Sequence, residues 1–244
     1  MLRYVLFLLL SGSALTCCGQ QKITYFDKSG NEVTASAAYD HAEAVTRDPD
    51  SSNRATVQEF SAKGILRSVT HYGDYVKMIE DGPYEDYYPD GKRHTVGSFR
   101  QGKLDGELKT YWENGKLRRD DVFANDKLLH GKCYDSTGRT VPHTKYRVMP
   151  EFPGGETGFI HYLSTSVHYP KDARELGIQG TVVIKFSIQK DGRVTGESVS
   201  QHVAPEIDKE ALRVVRAMPR WKPGTLDDET VIVHYSLPIR FKLE

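Results

Sequence analysis

The sequence predicts an α+β protein in two regions, an N-terminal series of β-hairpin repeats and a C-terminal domain of two helices on a three-stranded antiparallel sheet. Three observations predict it. Turn-bearing words recur between residues 22 and 139, at intervals of 23 to 25 residues from Gly82 onward. Val182, Ile184, Phe186 and Ile188 alternate with Thr181, Lys185, Ser187 and Gln189, the period of a half-buried strand. Ile207, Ala211, Val214, Val215 and Met218 recur every three or four residues, the stripe of a helix lying on a sheet.

Composition narrows the function. The 33 Lys and Arg balance the 33 Asp and Glu of the 244 residues, so overall charge favours neither nucleic acid nor an anionic membrane, and no nucleic-acid partner is expected. A mean hydropathy of −0.54 is low for one compact core and suits an extended polar repeat region.

The chain opens with Met1-Leu2-Arg3, an apolar run from Tyr4 to Leu10, and Cys17-Cys18-Gly19-Gln20, the layout of a secretory leader. As a helix, Tyr4 to Gly19 covers about 24 Å against a hydrocarbon core of about 30 Å. Residues 1–19 are therefore expected to be a signal peptide or lipoprotein leader that sends the protein to the periplasm. Cleavage before Gln20, lipid attachment at Cys17 or Cys18 and an uncleaved anchor all fit these residues. With both leader cysteines removed, Cys133 is left alone and no internal disulfide can form. It is expected to be a small buried apolar residue.

Between 22 and 139 the words are Tyr88-Pro89-Asp90-Gly91-Lys92, Tyr111-Trp112-Glu113-Asn114-Gly115-Lys116 and Tyr134-Asp135-Ser136-Thr137-Gly138-Arg139. Phe99-Arg100-Gln101-Gly102-Lys103 and Phe123-Ala124-Asn125-Asp126-Lys127 are a second pair of matching turns, and Tyr25 to Gly30 and Phe60 to Gly64 look like weaker early copies. A hairpin per repeat, stacked into a ribbon with an aromatic core, is the physical reading. Tyr88, Tyr111, Trp112 and Tyr134 are expected in that core and the intervening charges on a solvated face. His41 to Asn53 shows turn formers and no apolar period, and reads as an inserted loop. The repeats resemble MORN-type repeats in the variant form of bacterial secreted and antitoxin-like proteins. Thr140 to Met149 joins the two regions, with a boundary near Pro142.

In the second region, taken as residues 150–244, Tyr169-Pro170 to Gly177 reads as a short helix and Asp191-Gly192 as the turn of a hairpin. Pro205 to Met218 is the longer helix, and Val231 to Leu243 alternates as one long closing strand. This order resembles the C-terminal domain of TonB, the energy transducer of Gram-negative envelopes. The words that carry the resemblance are Tyr169-Pro170, Ala173-Arg174, Gly180, Asp191-Gly192-Arg193-Val194, Met218-Pro219-Arg220-Trp221 and Pro223-Gly224. The lead-in Pro150-Glu151-Phe152-Pro153-Gly154-Gly155 is similar to that of the Bacteroidetes-type variant of the family.

The resemblance implies that the closing strand pairs with a short segment of a TonB-dependent outer-membrane transporter or a related envelope protein, in support of energy-coupled transport. That role falls on Thr230, Val231, Ile232, Val233, His234, Tyr235, Ser236 and Leu237, and the plug-proximal Tyr-Pro element on Tyr169 and Pro170. Replacing Val233 with proline is expected to remove a ladder donor from that pairing. A homodimer through the same sheet is a further expectation. Several features depart from the family: the 11 prolines are scattered and make no spacer, His168 stands where a glutamine is usual, and Pro238 removes a donor, which would end pairing at Leu237. The alternative reading is a periplasmic scaffold whose repeats do the recognition. No enzyme is expected: the chain has no phosphate-binding Gly loop, no His-Glu-x-x-His and no Gly-x-Ser-x-Gly. Neither a metal nor another cofactor is expected, since His161 and His168 have no third ligand at metal spacing.

Overall fold

The computed structural model describes residues 21–28 and 30–243. The expected leader, residues 1–19 with Cys17 and Cys18, lies outside them. The chain divides into two compact units, Met1–His143 and Thr144–Glu244.

The strands of the first unit are β1 (Gln21–Phe26), β2 (Glu32–Val33), β3 (His41–Asp48), β4 (Ser51–Ser61), β5 (Leu66–Asp74) and β6 (Ile79–Tyr87). They continue with β7 (Arg93–Arg100), β8 (Lys103–Leu104), β9 (Gly106–Tyr111), β10 (Leu117–Ala124), β11 (Lys127–Tyr134) and β12 (Thr140–Val141). All belong to one sheet in the order β2-β1-β3-β4-β5-β6-β7-β9-β10-β11-β12, with β8 beside β7. The hairpin reading is thus realised as a continuous antiparallel meander.

Each repeat turn closes in the same way. The Gly91, Gly115 and Gly138 amides donate to the carbonyls of Tyr88, Trp112 and Asp135, and those three residues donate to Lys92, Lys116 and Arg139. Ser61 to Ile65 forms the same pair of bonds. By this geometry Trp112, not Tyr111, is the counterpart of Tyr88. The repeat period reappears as bonds between successive turns. Tyr88 donates its hydroxyl to the Tyr111 carbonyl (2.7 Å), and Trp112 donates its indole N–H to the Tyr134 carbonyl (3.0 Å). Lys92 reaches Glu113 (3.1 Å) and Lys116 reaches Thr137 (2.9 Å). The aromatics are therefore half-buried stitches as much as core.

Two expectations about this unit are corrected. His41–Asn53 is not a loop: β3 and the start of β4 run through it, with Ala42, Ala44 and Val45 buried. Alanine, which carries little apolar signal, hid the period. Nor do the charges all lie on a solvated face. Arg119 and Asp121 are fully buried and 2.8 Å apart, and His143 Nε2 lies 2.8 Å from the other Asp121 oxygen. The strand register sets Arg119 between Thr110 and Cys133, and Asp121 between Leu108 and Gly131. Gly131 is required there, because a Cβ would fall 1.9 Å from Asp121 Oδ1. Arg118 is also buried, its guanidinium 4.2 Å from the Trp112 ring centre. Cys133 is buried and unbridged.

The second unit contains β13 (Arg147–Val148), α1 (Gly155–Ser166), α2 (Lys171–Glu175), β14 (Gly180–Ile188), β15 (Val194–Gln201) and α3 (Pro205–Arg216). It ends with β16 (Thr225–Leu226), β17 (Glu229–Thr230) and β18 (Val233–Phe241). The main sheet is β15-β14-β18, and a second small sheet is β13-β16-β17. Val182, Ile184, Phe186 and Ile188 of β14 meet Ile207, Ala211 and Val215 of α3 in the core, and burying each larger aliphatic contributes roughly 1.5–3 kcal/mol. Pro205 starts α3, and Asp208 reaches back to the Val203 amide (3.1 Å).

Helix α1 is an addition to the expected pair. Its Phe159, Tyr162 and Leu163 pack on the core without any residue being fully buried. The closing strand is shorter than its alternation suggests, since Thr230 belongs to β17 and β18 begins only at Val233. Val231 is drawn off instead to the Gly224 carbonyl (3.0 Å).

Several of the sequence words converge on one node. The tip of the β14–β15 hairpin docks through the Gly192 carbonyl onto the Trp221 amide (2.9 Å). Lys222 exchanges two backbone bonds with Glu151 (2.8 and 3.0 Å). Phe152 thereby enters an aromatic cluster with Trp221, Phe159 and Tyr162, ring centres 5.3–5.4 Å away.

Candidate functional site

The site is an edge of the C-terminal sheet. β14 is central, and all nine residues of β18 pair with it without a break, from Gly180↔Phe241 to Ile188↔Val233. The direction of each main-chain group follows from neighbouring bonds. The Thr181 and Val183 carbonyls accept from the Gln201 side-chain amide and the Ser200 hydroxyl of β15, and the Gln189 amide donates to the Arg193 carbonyl across the hairpin, so odd-numbered groups of β14 point to β15 and even-numbered ones to β18. Antiparallel pairing then turns Val233, Tyr235, Leu237, Ile239 and Phe241 toward β14. His234, Ser236, Pro238 and Arg240 present their main-chain groups to the open side, where no described strand pairs.

Pro238 therefore does not interrupt the strand, which runs through it to Phe241. Its missing N–H falls on the open side, the one placement a sheet tolerates without losing a ladder bond. Val233 likewise needs correction: its N–H serves the fold, toward Ile188, and not the open edge.

Side chains follow the same alternation. Tyr235 stacks on Phe186 at 5.6 Å on the core side, and burial raises its phenol pKa. On the opposite face His234 Nδ1 lies 2.7 Å from Ser187 Oγ, in a shallow depression of about 340 Å³ that Lys185 and Ser236 also line.

The other edges are poorer acceptors. β15 is broken by two register shifts against β14, and β2 and β12, at the ends of the repeat sheet, have two residues each. Short or bulged edges resist strand addition.

Tyr169 and Pro170 stand at the far end of the same strand from Val233. The Tyr169 ring meets Phe241 edge-on at 5.7 Å, its hydroxyl donates to the Ile178 carbonyl, and Pro170 precedes α2. The residue before them is clamped: Glu210 accepts the His168 amide (2.8 Å) and two bonds from Arg213 (2.7 and 2.8 Å). The Arg213 guanidinium, chiefly, holds the Glu210 carboxyl below its ordinary pKa. A lowered folded-state pKa means that this contribution is complete above the unfolded value of about 4.3 and is lost as pH falls through the folded one. Acidification from pH 6 is expected to loosen the Tyr169 segment, read as its NMR shifts, and Glu210→Gln to remove that pH dependence.

His161 lies on α1 and His168 beyond its end. Among the described residues no group of three or more His, Cys, Asp or Glu is placed to hold a metal, and no helix is long and apolar enough to cross a membrane.

The family model for the C-terminal region of Gram-negative bacterial TonB proteins matches residues 165–243. Those residues are a TonB C-terminal domain. The MORN repeat variant model matches residues 104–125, the segment of β9 and β10. Protein TonB of Helicobacter pylori is 31% identical over 97 residues, covering 38% of this chain and 33% of the relative. Protein TonB of Vibrio cholerae is 34% identical over 79 residues, 31% of either chain. The chain thus spans about a third of the length of these TonB proteins. The solution structure of the H. pylori TonB C-terminal domain is 30% identical, with 87% of that chain and 38% of this one covered and a TM-score of 0.29. The TonB C-terminal domain includes β14, β15, α3 and β18, hence the whole open edge. Residues 150–164, with the Phe152 lead-in, lie before the matched segment.

Proposed function

We propose that the TonB C-terminal domain of this protein holds an extended segment of an envelope partner by strand addition to β18, and that the partner is a TonB-dependent outer-membrane transporter or a protein that works with one. One observation carries the reading: β18 is a nine-residue edge strand paired without a break to β14, with outward donors at His234 and Ser236 and, beyond the gap at Pro238, at Arg240. Backbone pairing supplies affinity and alternate side chains supply selectivity. The site is thus mainly the main chain of His234 and Ser236, with Tyr235 and Leu237 beneath the incoming strand and Tyr169-Pro170 at its far end. In this reading the protein works in the periplasm and supports energy-coupled transport.

Replacing Ser236 with proline removes an outward N–H and leaves the β14 ladder intact. Binding of transporter N-terminal peptides, measured by calorimetry on the full chain, is expected to weaken at least tenfold, about 1.4 kcal/mol, with melting nearly unchanged. Val233→Pro is expected to damage the fold instead. Equal peptide affinity in wild type and Ser236→Pro contradicts strand addition here.

A further inference from the structure

Among the turns from Ser61 onward, the stitching to the next turn fails at the first. From the turn at Tyr88 onward, an aromatic donor at the first turn position bonds the carbonyl just before the next turn, as Tyr88 does to Tyr111 and Trp112 to Tyr134. The last turn position adds a lysine, Lys92 or Lys116. In the turn Ser61–Ile65 the matching positions hold Ser61 and Ile65. Serine is too short to reach the next turn, and its hydroxyl oxygen accepts from the Ile65 amide instead (3.1 Å). Isoleucine has no donor.

The residues that correspond to the acceptors Tyr111 and Glu113 are Tyr87 and Pro89. A groove of about 560 Å³ lies at this break, and Ser61, Ile65, Tyr87 and Pro89 all line it. That volume is within the range of ligand sites, roughly 300–1,000 Å³.

The neighbouring copies show what fits. The missing part is a planar ring with one hydrogen-bond donor, lying against the apolar groups of Ile65 and Pro89 and donating to the Tyr87 carbonyl. Charge adds a second requirement. Lys63, Arg67 and Asp40 also line the groove. Arg67 leans on Glu59 and Asp40 at 3.4 and 3.6 Å, and the exposed Lys63 ammonium, which shares in neither pair, is the cation at the groove open to an incoming carboxylate.

We infer that this groove is a binding site for a tryptophan or tyrosine side chain presented by an acidic peptide segment, the ring replacing the absent stitch and a neighbouring carboxylate meeting Lys63. The site is independent of the β18 edge and gives the repeats a recognition role of their own.

The test titrates the full chain with the peptide acetyl-Gly-Trp-Glu-Gly-amide, followed by NMR shifts of the Ser61, Ile65 and Tyr87 amides. The expected result is saturable binding at these residues, at least tenfold weaker when the tryptophan is replaced by phenylalanine, which keeps the ring and loses the donor. Ser61→Tyr supplies the repeat's own aromatic donor and is expected to abolish binding while raising the melting temperature. Lys63→Glu, an exposed change that leaves the fold alone, is expected to weaken binding at least threefold. No binding by the wild-type chain, equal binding of the phenylalanine peptide, or unchanged binding by Lys63→Glu overturns the inference.

Discussion

Replacing Asp121 with alanine is expected to cost the repeat sheet about 3–5 kcal/mol, because it leaves the Arg119 guanidinium buried with its carboxylate gone. Both side chains are fully buried on adjacent odd positions of β10, so water cannot replace what is removed without opening the sheet. His143 is 27% exposed and can turn outward; Arg119 cannot. The measurement is urea unfolding followed by fluorescence. The chain has two tryptophans, Trp112 in the first unit and Trp221 in the second, so a Trp221→Phe background reports the repeat sheet alone. The double change Arg119→Met with Asp121→Leu is expected to recover most of the loss, since an apolar pair of similar volume needs no partner. A loss below about 1 kcal/mol for Asp121→Ala would mean that the ion pair is not the centre of this sheet.

The second large effect falls on Gly192. Its φ is +81°, and a Cβ there would lie 1.9 Å from the Trp221 carbonyl oxygen. Gly192→Ala therefore combines a left-handed backbone, about 1–3 kcal/mol, with a clash against main chain that cannot rotate away. A total of roughly 2–6 kcal/mol is expected, read from Trp221 fluorescence in a Trp112→Phe background. Because Trp221 and Lys222 hold Glu151 and Phe152, the variant is also expected to release the lead-in, seen as faster amide exchange at Glu151. A mild effect confined to the hairpin tip would show that the node is not a unit.

These two residues illustrate what was legible and what was not. Gly192 stands in an Asp-Gly turn between alternating runs, and its hairpin could be read directly from the chain. That the tip docks on Trp221 could not, because the partner is 29 residues away and the contact is backbone to backbone. The alternation of Val182 to Ile188 and the stripe of α3 gave the core, since each buries a regular apolar face. Helix α1 carries Phe159, Ile160, Tyr162 and Leu163, of which Ile160 is exposed, and with Gly158 inside it the apolar stripe is blurred. Arg119 and Asp121 were hidden for a general reason: charge in a strand reads as solvent-facing unless its cross-strand partners are known. The start of β18 is not readable from the chain, because apolar alternation passes unbroken through Val231 although pairing with β14 begins at Val233. Of the proposed site, the identity of the edge strand was readable and the direction of its donors was not. That direction depends on which side of β14 the odd carbonyls face, which Ser200 and Gln201 reveal.

The most direct test of strand addition is amide hydrogen exchange across β18, with and without a bound transporter peptide. The His234 and Ser236 amides, which face the open side, are expected to become protected, while Tyr235 and Leu237, already bonded to β14, change little. Protection that appears on β15 instead, or none at His234 and Ser236 while the peptide is bound, would contradict the account.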